Sequence, residues 1–531
     1  MRWRNVENTQ TNQRWSIILF AVGVFMAALD NGIISSALTT INRSFDVSAS
    51  WGAWGITLYT LGLSVSVPIV GKLSDRYGRK KLFIIEVALF GIGSLLVALS
   101  TSFTMFLAAR LVQSLGGGGI FIIGSSHILS TLPKEQQGKA LGALGGMNGI
   151  AAVLGPNIGS FLLDWTGSWH WLFLINLPIA ATLIVLAFRF ISETKDPKDV
   201  PLDVKGTMLL ALSILSIMYG ITNLDGTDLS KSITSPDFYG FLLGGIGLFM
   251  LLLLLENRLE QHGGDPVLPF SLLRSPVYLW TLLIGIFSGA LIAAIIFVPA
   301  FVEQYLGVAP DRSGYWMTPL ALISGVGAGI GGMLTDKKGP VFAIVVSSMI
   351  SFLVFALFPF WVEAKWQFII ASCFAGFGFG MTLGAPVNVL ATEGAGKEKG
   401  SALGTLSLAR QIGLTIAPTI YAGFLTRNFQ TIGDKVVENL QAAGVNMQML
   451  PHAVFKGFSE NMNIGEVTQE IGKLPDPTVK GIIIKTIHDV VGSAFGSLFL
   501  SAAVISFLML IAIFVISMIR GKEKQGKAEE N

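Results

Sequence analysis

The chain has 531 residues, 52% of them hydrophobic and only 13% charged, with a mean hydropathy of +0.65 and a formal net charge of +3. Roughly a quarter of a soluble domain is charged, so a water-soluble globular protein of this length is excluded. A nucleic-acid-binding module is excluded as well, because the Lys and Arg residues sit in short stretches between apolar runs and build no basic face. The one cysteine, Cys373, rules out a disulfide framework and a Cys-based metal site, and the five histidines show no H-E-x-x-H spacing.

In chain order, the polar start MRWRNVENTQTNQRW has no small-residue cleavage site behind a short apolar core and reads as a retained tail, 1–14. A bilayer core of about 30 Å takes roughly 20 apolar residues per helix. Fourteen runs of that kind begin near Trp15, Gly52, Leu82, Phe103, Gly138, Trp169, Val204, Phe238, Pro276, Gly314, Val341, Trp366, Gly400 and Val491. They predict an all-α polytopic membrane protein. Six runs fill 15–191, two more lie in a linker at 192–260, five fill 261–426, and the last occupies 491–519 before a tail at 520–531. Between the last two runs, 427–490 is too long for a simple connection. Its stretches KVVENLQAAGVNMQML and TVKGIIIKTIHDVV have helical apolar spacing, which predicts an extracytoplasmic, partly helical insert; a loosely ordered segment is the alternative.

Charge fixes the orientation. With the start inside, the inner segments hold Lys72, Arg76, Arg79, Lys80, Lys81 and most of the other basic residues, whereas the short outer loops hold only Arg43, Lys231, Arg312 and Lys365. The positive-inside rule then places both termini in the cytoplasm.

The loop Gly71 to Leu82, GKLSDRYGRKKL, resembles the signature loop GxLaDrxGRkxxl of the major facilitator superfamily at each defining position. GGMLTDKKGP, Gly331 to Pro340, is a degenerate echo of it after the second run of the second half, an internal repetition of six spans plus six. With the extra central pair the chain resembles the fourteen-span drug:H+ antiporter family. The resemblance implies two six-helix bundles plus two central helices in a bacterial plasma membrane. It also implies alternating access about a central cavity and a monomer that handles an amphiphilic, cationic small molecule, protons and membrane lipids. No Walker A sequence is present, so the energy source is read as a proton gradient, with no cofactor.

Asp30, in FMAALDNGIISSAL, falls near the middle of the first run, where a carboxylate is costly unless it is paired, hydrated or protonated. It matches the family's first-helix motif, whose Asp the resemblance links to proton coupling; a helix-capping role is the alternative. Arg110, in RLVQSLGGGG, lies at a similar depth, roughly 10 Å against 16 Å from the outer ends at 1.5 Å per residue, and matches the fourth-helix motif. Glu303, at the outer end of the ninth run, is a second candidate proton site, or else a solvated loop residue. GGMNGIAAVLGPNIGS, with Gly149, Gly155, Pro156 and Gly159, resembles the antiporter motif gxxxGPxxGG, with Ser160 in the last Gly position.

In the signature loop, Asp75 with Arg79 is expected to lock the inner side, with Gly71, Arg76, Gly78 and, in the echo, Asp336 as further gating positions. Trp54, Tyr59, Gln113 and Asn148 are candidates for cavity walls. Glu86 is expected to pair with Arg79 or Lys80, Arg410 to snorkel to the cytoplasm, and His170 to fill the outer interface or tune pH dependence. The rival functions are export of a lipid or cell-envelope precursor, uptake by symport, and a non-transporting receptor.

Overall fold

A computed structural model describes residues 2–194, 201–226, 228–445 and 476–529. Among these, regular structure is helical apart from one isolated bridge between Leu202 and Asp265. Fourteen long helices or broken helices follow in order: α1 (Arg2–Ser44), α2 (Trp54–Tyr77), α3 (Arg79–Ala98), α4 (Phe103–Thr131), α5 (Lys134–Thr166), α6 (Trp171–Phe190), α7 (Val204–Thr222), α8 (Pro236–Gln261), α9 (Pro276–Gln304), α10 (Gly314–Lys338), α11 (Pro340–Trp361), α12 (Lys365–Thr392), α13 (Lys399–Gln430) and α14 (Pro477–Glu529).

Helices are the expected solution, since lipid offers backbone groups no partner. Twelve are long and apolar enough to cross a bilayer, and α5, bent by 45° between Lys134–Ala152 and Leu154–Thr166, makes up to thirteen among the described residues. The thirteenth run of the sequence, α13, is not among them. Ser407, Arg410, Gln411 and Thr415 interrupt its apolar stretch, yet it packs along α2 and α9 inside the bundle. Large apolar side chains such as Trp165, Phe360 and Phe514 point outward, 64–76% exposed, as a lipid-facing surface requires.

Apolar clusters divide the chain into two halves. Helices α1 to α6 hold two of them and α9 to α14 a third, while α7 and α8 sit on the flank, where Leu210, Ile214 and Met218 of α7 pack with Leu61 of α2. Only Gly245, Leu252 and Glu256 of α8 are buried. Of the insert, Ile432–Ala442 is a helix that buries Ile432, Val436 and Leu440 beside Val479, Ile483 and Ile487 of the N-terminal extension of α14. The stretch 446–475 lies outside the described residues.

The echo between halves is structural as well as sequential. An offset of 262 residues carries Gly138, Lys139, Gly142 and Pro156 of α5 onto Gly400, Ser401, Gly404 and Pro418 of α13. An offset of 261 carries Gly71, Asp75 and Gly78 onto Gly332, Asp336 and Gly339. Gly78 and Gly339 make the equivalent turns out of α2 and α10 with φ of 107° and 87°, a region that favours glycine. The halves meet crosswise, α2 on α13 and α5 on α10. A Cβ on Gly71 would lie 2.4 Å from the Gly400 carbonyl oxygen, and one on Gly332 2.1 Å from that of Gly138. Backbone thus touches backbone at two equivalent points on the face that carries the signature loop, and that face is closed.

Because a Cβ at position 400 would stand 2.3 Å from the Gly71 oxygen, Gly400→Val should force this face open. In a Cys373→Ser background, maleimide labelling of Leu403→Cys, whose native side chain is 1% exposed, should rise severalfold; an unchanged rate would count against closure by glycine contact.

Candidate functional site

One carboxylate ties the first half together. Asp30 of α1 is fully buried, and its Oδ2 accepts a hydrogen bond from Arg110 Nη1 of α4 at 2.6 Å. Its Oδ1 accepts from Gln113 Nε2 at 2.8 Å and from Asn176 Nδ2 of α6 at 3.3 Å. Both amides also donate to Ser94 Oγ of α3, at 2.8 and 3.2 Å, and Arg110 Nη1 donates to Gln113 Oε1 at 2.6 Å. The Arg110 guanidinium stacks over the Tyr59 ring of α2, 4.0 Å from its centroid. Charge is balanced, and both charged groups are held by further polar partners, which is what makes a buried pair tolerable.

α5 joins this group through glycine. A Cβ on Gly32, one half-turn beyond Asp30, would lie 2.7 Å from Gly155 Cα and 3.1 Å from Pro156 Cδ. Pro156 cannot donate to the Ala152 carbonyl, and α5 bends there. Gly149 faces Ser324 of α10, across the boundary between halves, and Gly159 is buried one turn beyond Gly155.

Tyr59 connects the ion pair to a cavity of about 90 Å³, lined also by Asn31, Asn148, Val24, Leu63 and Phe121. The structure therefore brings Tyr59 and Asn148 together on one cavity. Gln113 is instead locked into the ion-pair network, and Trp54 faces α7, its ring 6.3 Å from that of Tyr219. Glu303 is half-buried at the C-terminal end of α9, apart from Asp30 and without an ion pair among the described residues.

At the signature loop, Asp75 is buried and accepts from Arg79 Nη2 at 2.6 Å and from the backbone N–H groups of Gly400 and Ser401 at 2.7 and 3.2 Å. Those donors open α13, where the helix dipole adds to the hydrogen bonds. Asp336 makes the matching contact with α5, accepting from Gly138 N at 2.6 Å and Lys139 N at 2.9 Å, one turn inside the helix that begins at Lys134. Each half thus sets a carboxylate on backbone N–H groups of a helix of the other. Pro340 stands where Arg79 stands in the first half, so Asp336 has no equivalent Arg and is half-exposed.

Several residues escaped the sequence reading. Asp265, in the loop after α8, is buried between Lys72 Nζ at 2.6 Å and Arg76 Nη1 at 2.9 Å, and Lys72 also reaches Glu398 at 3.1 Å. A lone acid beside a Pro, facing five basic residues, was the available signal. Ser94 and Asn176 were visible only as polar residues in apolar runs. Two expectations are corrected. Glu86 pairs with neither Arg79 nor Lys80: it lies two turns from Arg79 and accepts the Gly119 N–H at 3.0 Å, a donor freed where α4 breaks. Arg410 does not snorkel, since it starts eleven residues inside α13 and bonds Ser288 of α9. His170 stacks on Trp169 and bonds Ser168 Oγ, and partial burial lowers its pKa.

Crossed contacts between two repeated bundles, a buried ion pair and a cavity with polar groups in the first-half wall fit a polytopic membrane transporter and not an enzyme. The chain belongs to the Major Facilitator Superfamily, whose family model matches residues 20–418. It is 61% identical, over 97% of its length and 98% of the other, to a Bacillus subtilis (strain 168) protein named uncharacterized MFS-type transporter YfiU. It is 26% identical to multidrug resistance protein 3 of the same organism, over 97% of each chain. Among solved structures, the human organic anion transporter MFSD10 (TETRAN) shares the fold with a TM-score of 0.55 at 17% identity, covering 77% of this chain and 93% of that one.

Removing one partner of a buried ion pair leaves the other uncompensated, a cost of roughly 3–5 kcal/mol. Arg110→Gln should therefore lower thermal stability in detergent strongly, and Asp30→Asn/Arg110→Gln should recover part of the loss. Additive losses in the double variant would contradict the coupling.

Proposed function

We propose that this protein is a proton-coupled antiporter that expels amphiphilic compounds, cationic ones included, from the cytoplasm by alternating access. The observation that carries the reading is the fully buried Asp30–Arg110 pair, joined through Tyr59 to a cavity with polar Asn31 and Asn148 in its wall. Relatives named multidrug resistance protein 3 and multidrug transporter protein MdtP, 26% and 27% identical, support it. Asp30 takes up a proton, Arg110 turns to other partners, and substrate and proton exchange on one carboxylate.

The crossed contacts at Asp75 and Asp336 hold the cytoplasmic side shut while the cavity faces outward. Rocking of the halves breaks both together, because the contacts are equivalent by the internal repeat. In this reading the chain works as a monomer of fourteen spans in a bacterial plasma membrane, both termini inside, driven by the proton gradient without a cofactor. A second reading, export of a lipid or envelope precursor, is favoured by the amphipathic helix Ile432–Ala442 packed beside the N-terminal extension of α14.

In proteoliposomes with an imposed pH gradient, lipophilic cations should accumulate with wild type and lose gradient dependence with Asp30→Asn, a drop of at least tenfold in rate. Undiminished gradient-driven transport by Asp30→Asn would sink the coupling role. Lipid movement without cation transport would select the second reading.

A further inference from the structure

α13 carries a charge that neither the ion pair nor the gate uses. Arg410 lies eleven residues from the start of the helix, about 16 Å along it. Its Nε donates to Ser288 Oγ of α9 at 3.2 Å, but Nη2 is sealed from solvent and has no hydrogen-bond partner. Arg110, which is fully buried, is bonded to Asp30, Gln113 and the Gly55 carbonyl, whereas Arg410 is half-buried with only its Nη2 sealed. A guanidinium nitrogen without an acceptor inside a membrane protein is unfavourable, and an anionic oxygen is the group that relieves it best.

The internal repeat says where Arg410 faces. The offset that carries Gly138 onto Gly400 and Pro156 onto Pro418 carries Asn148 onto Arg410. In the first half Gly32 packs against α5 at Ala152 and Gly155, and in the second Gly289 packs against α13 at Arg410 and Leu414, the offset partner of Ala152 being Leu414. The residue before Gly32 is Asn31; the residue before Gly289 is Ser288. Asn31 and Asn148 both line the first-half cavity, so Ser288 and Arg410 hold the equivalent pair of positions in the second half. Leu403, two turns before Arg410 on the same helix face, packs into the first-half cluster, which places that face toward the other bundle.

We propose that Arg410 and Ser288 form a receiving site for an acidic group, a carboxylate or a phosphate, on the second-half wall of the central cavity. The inference rests on the reading of the chain as an exporter of amphiphiles and extends its substrate class to zwitterionic and anionic members. The two walls then differ in sign: a neutralised Asp30–Arg110 pair on one, an uncompensated cation on the other. In the closed conformation the void beside Ser288, about 10 Å³ and the room of one water, is lined by α9, α11 and α12 and not by Arg410, so the acid group reaches the pair as the halves move. Guanidinium binds such groups through a planar fork that an ammonium lacks, so Arg410→Lys should keep part of the effect and Arg410→Gln none.

The test uses the cationic dye ester rhodamine 6G and its free acid rhodamine 19, which share one ring system. Equilibrium binding to the purified full-length protein in detergent, followed by fluorescence polarisation, should favour the acid in wild type. The acid-to-ester affinity ratio should fall at least tenfold in Arg410→Gln and less in Arg410→Lys, with melting temperature measured in each. A ratio unmoved by Arg410→Gln, or no preference for the acid in wild type, overturns the proposal. Displacement of the acid by phosphatidylglycerol but not by phosphatidylcholine would support the site and identify a lipid phosphate as its occupant. Arg410-dependent binding without proton-driven movement in liposomes would leave the site standing and remove the export reading.

Discussion

A carboxylate and a guanidinium buried in a membrane protein must find each other, and in this chain that requirement organises a whole bundle. Asp30 comes from α1, Ser94 from α3, Arg110 and Gln113 from α4, Asn176 from α6, and Tyr59 with the Gly55 carbonyl from α2. α5 is held within half a turn of Asp30 by the Gly32–Gly155 contact. Five helices of the first half therefore meet at one ion pair and the sixth packs beside it, so a change at the pair is coupled to each of them. That coupling does not depend on a long chain of contacts.

The second half is built by the same repeat without that pair. Its equivalent helices, α9 and α13, cross as closely as α1 and α5 do, but their polar pair is Ser288 and Arg410. What the halves keep in common is the contact across their boundary. Asp75 and Asp336 each accept backbone N–H groups from a helix of the opposite bundle, and glycines at both crossings allow backbone contact. The α8–α9 loop adds Asp265, buried between Lys72 and Arg76, and so links the extra helix pair to the signature loop by charge. Separating the halves at this face has to break hydrogen bonds at both contacts together, which favours two discrete arrangements over a graded one.

Much of this was legible in the sequence. Acid and base at matched depths in α1 and α4 announced the ion pair, and the loop motif with its echo announced the two crossed contacts, because each signal is a residue type in a place where hydrocarbon makes it costly. The missed features depend on where helices stop and on which face they turn. Glu86 caps a break in α4 that four consecutive glycines permit but do not locate, since glycine is equally at home in tight packing. Asp265 is distant from its partners in sequence and meets them only because α7 and α8 fold against α2. α13 carries half-buried polar residues along its apolar stretch, and those residues made Arg410 look like an interfacial side chain.

The central claim is that proton and substrate are exchanged on Asp30. The most direct measurement is the proton count on binding: purified protein in weakly buffered detergent, a saturating lipophilic cation added, and a pH indicator to read protons released. Substrate-linked proton release from wild type, close to one per molecule at a pH where the site is protonated, and none from Asp30→Asn with binding retained, is the result the account predicts. Binding without proton release across the accessible pH range, or release that persists in Asp30→Asn, would contradict it.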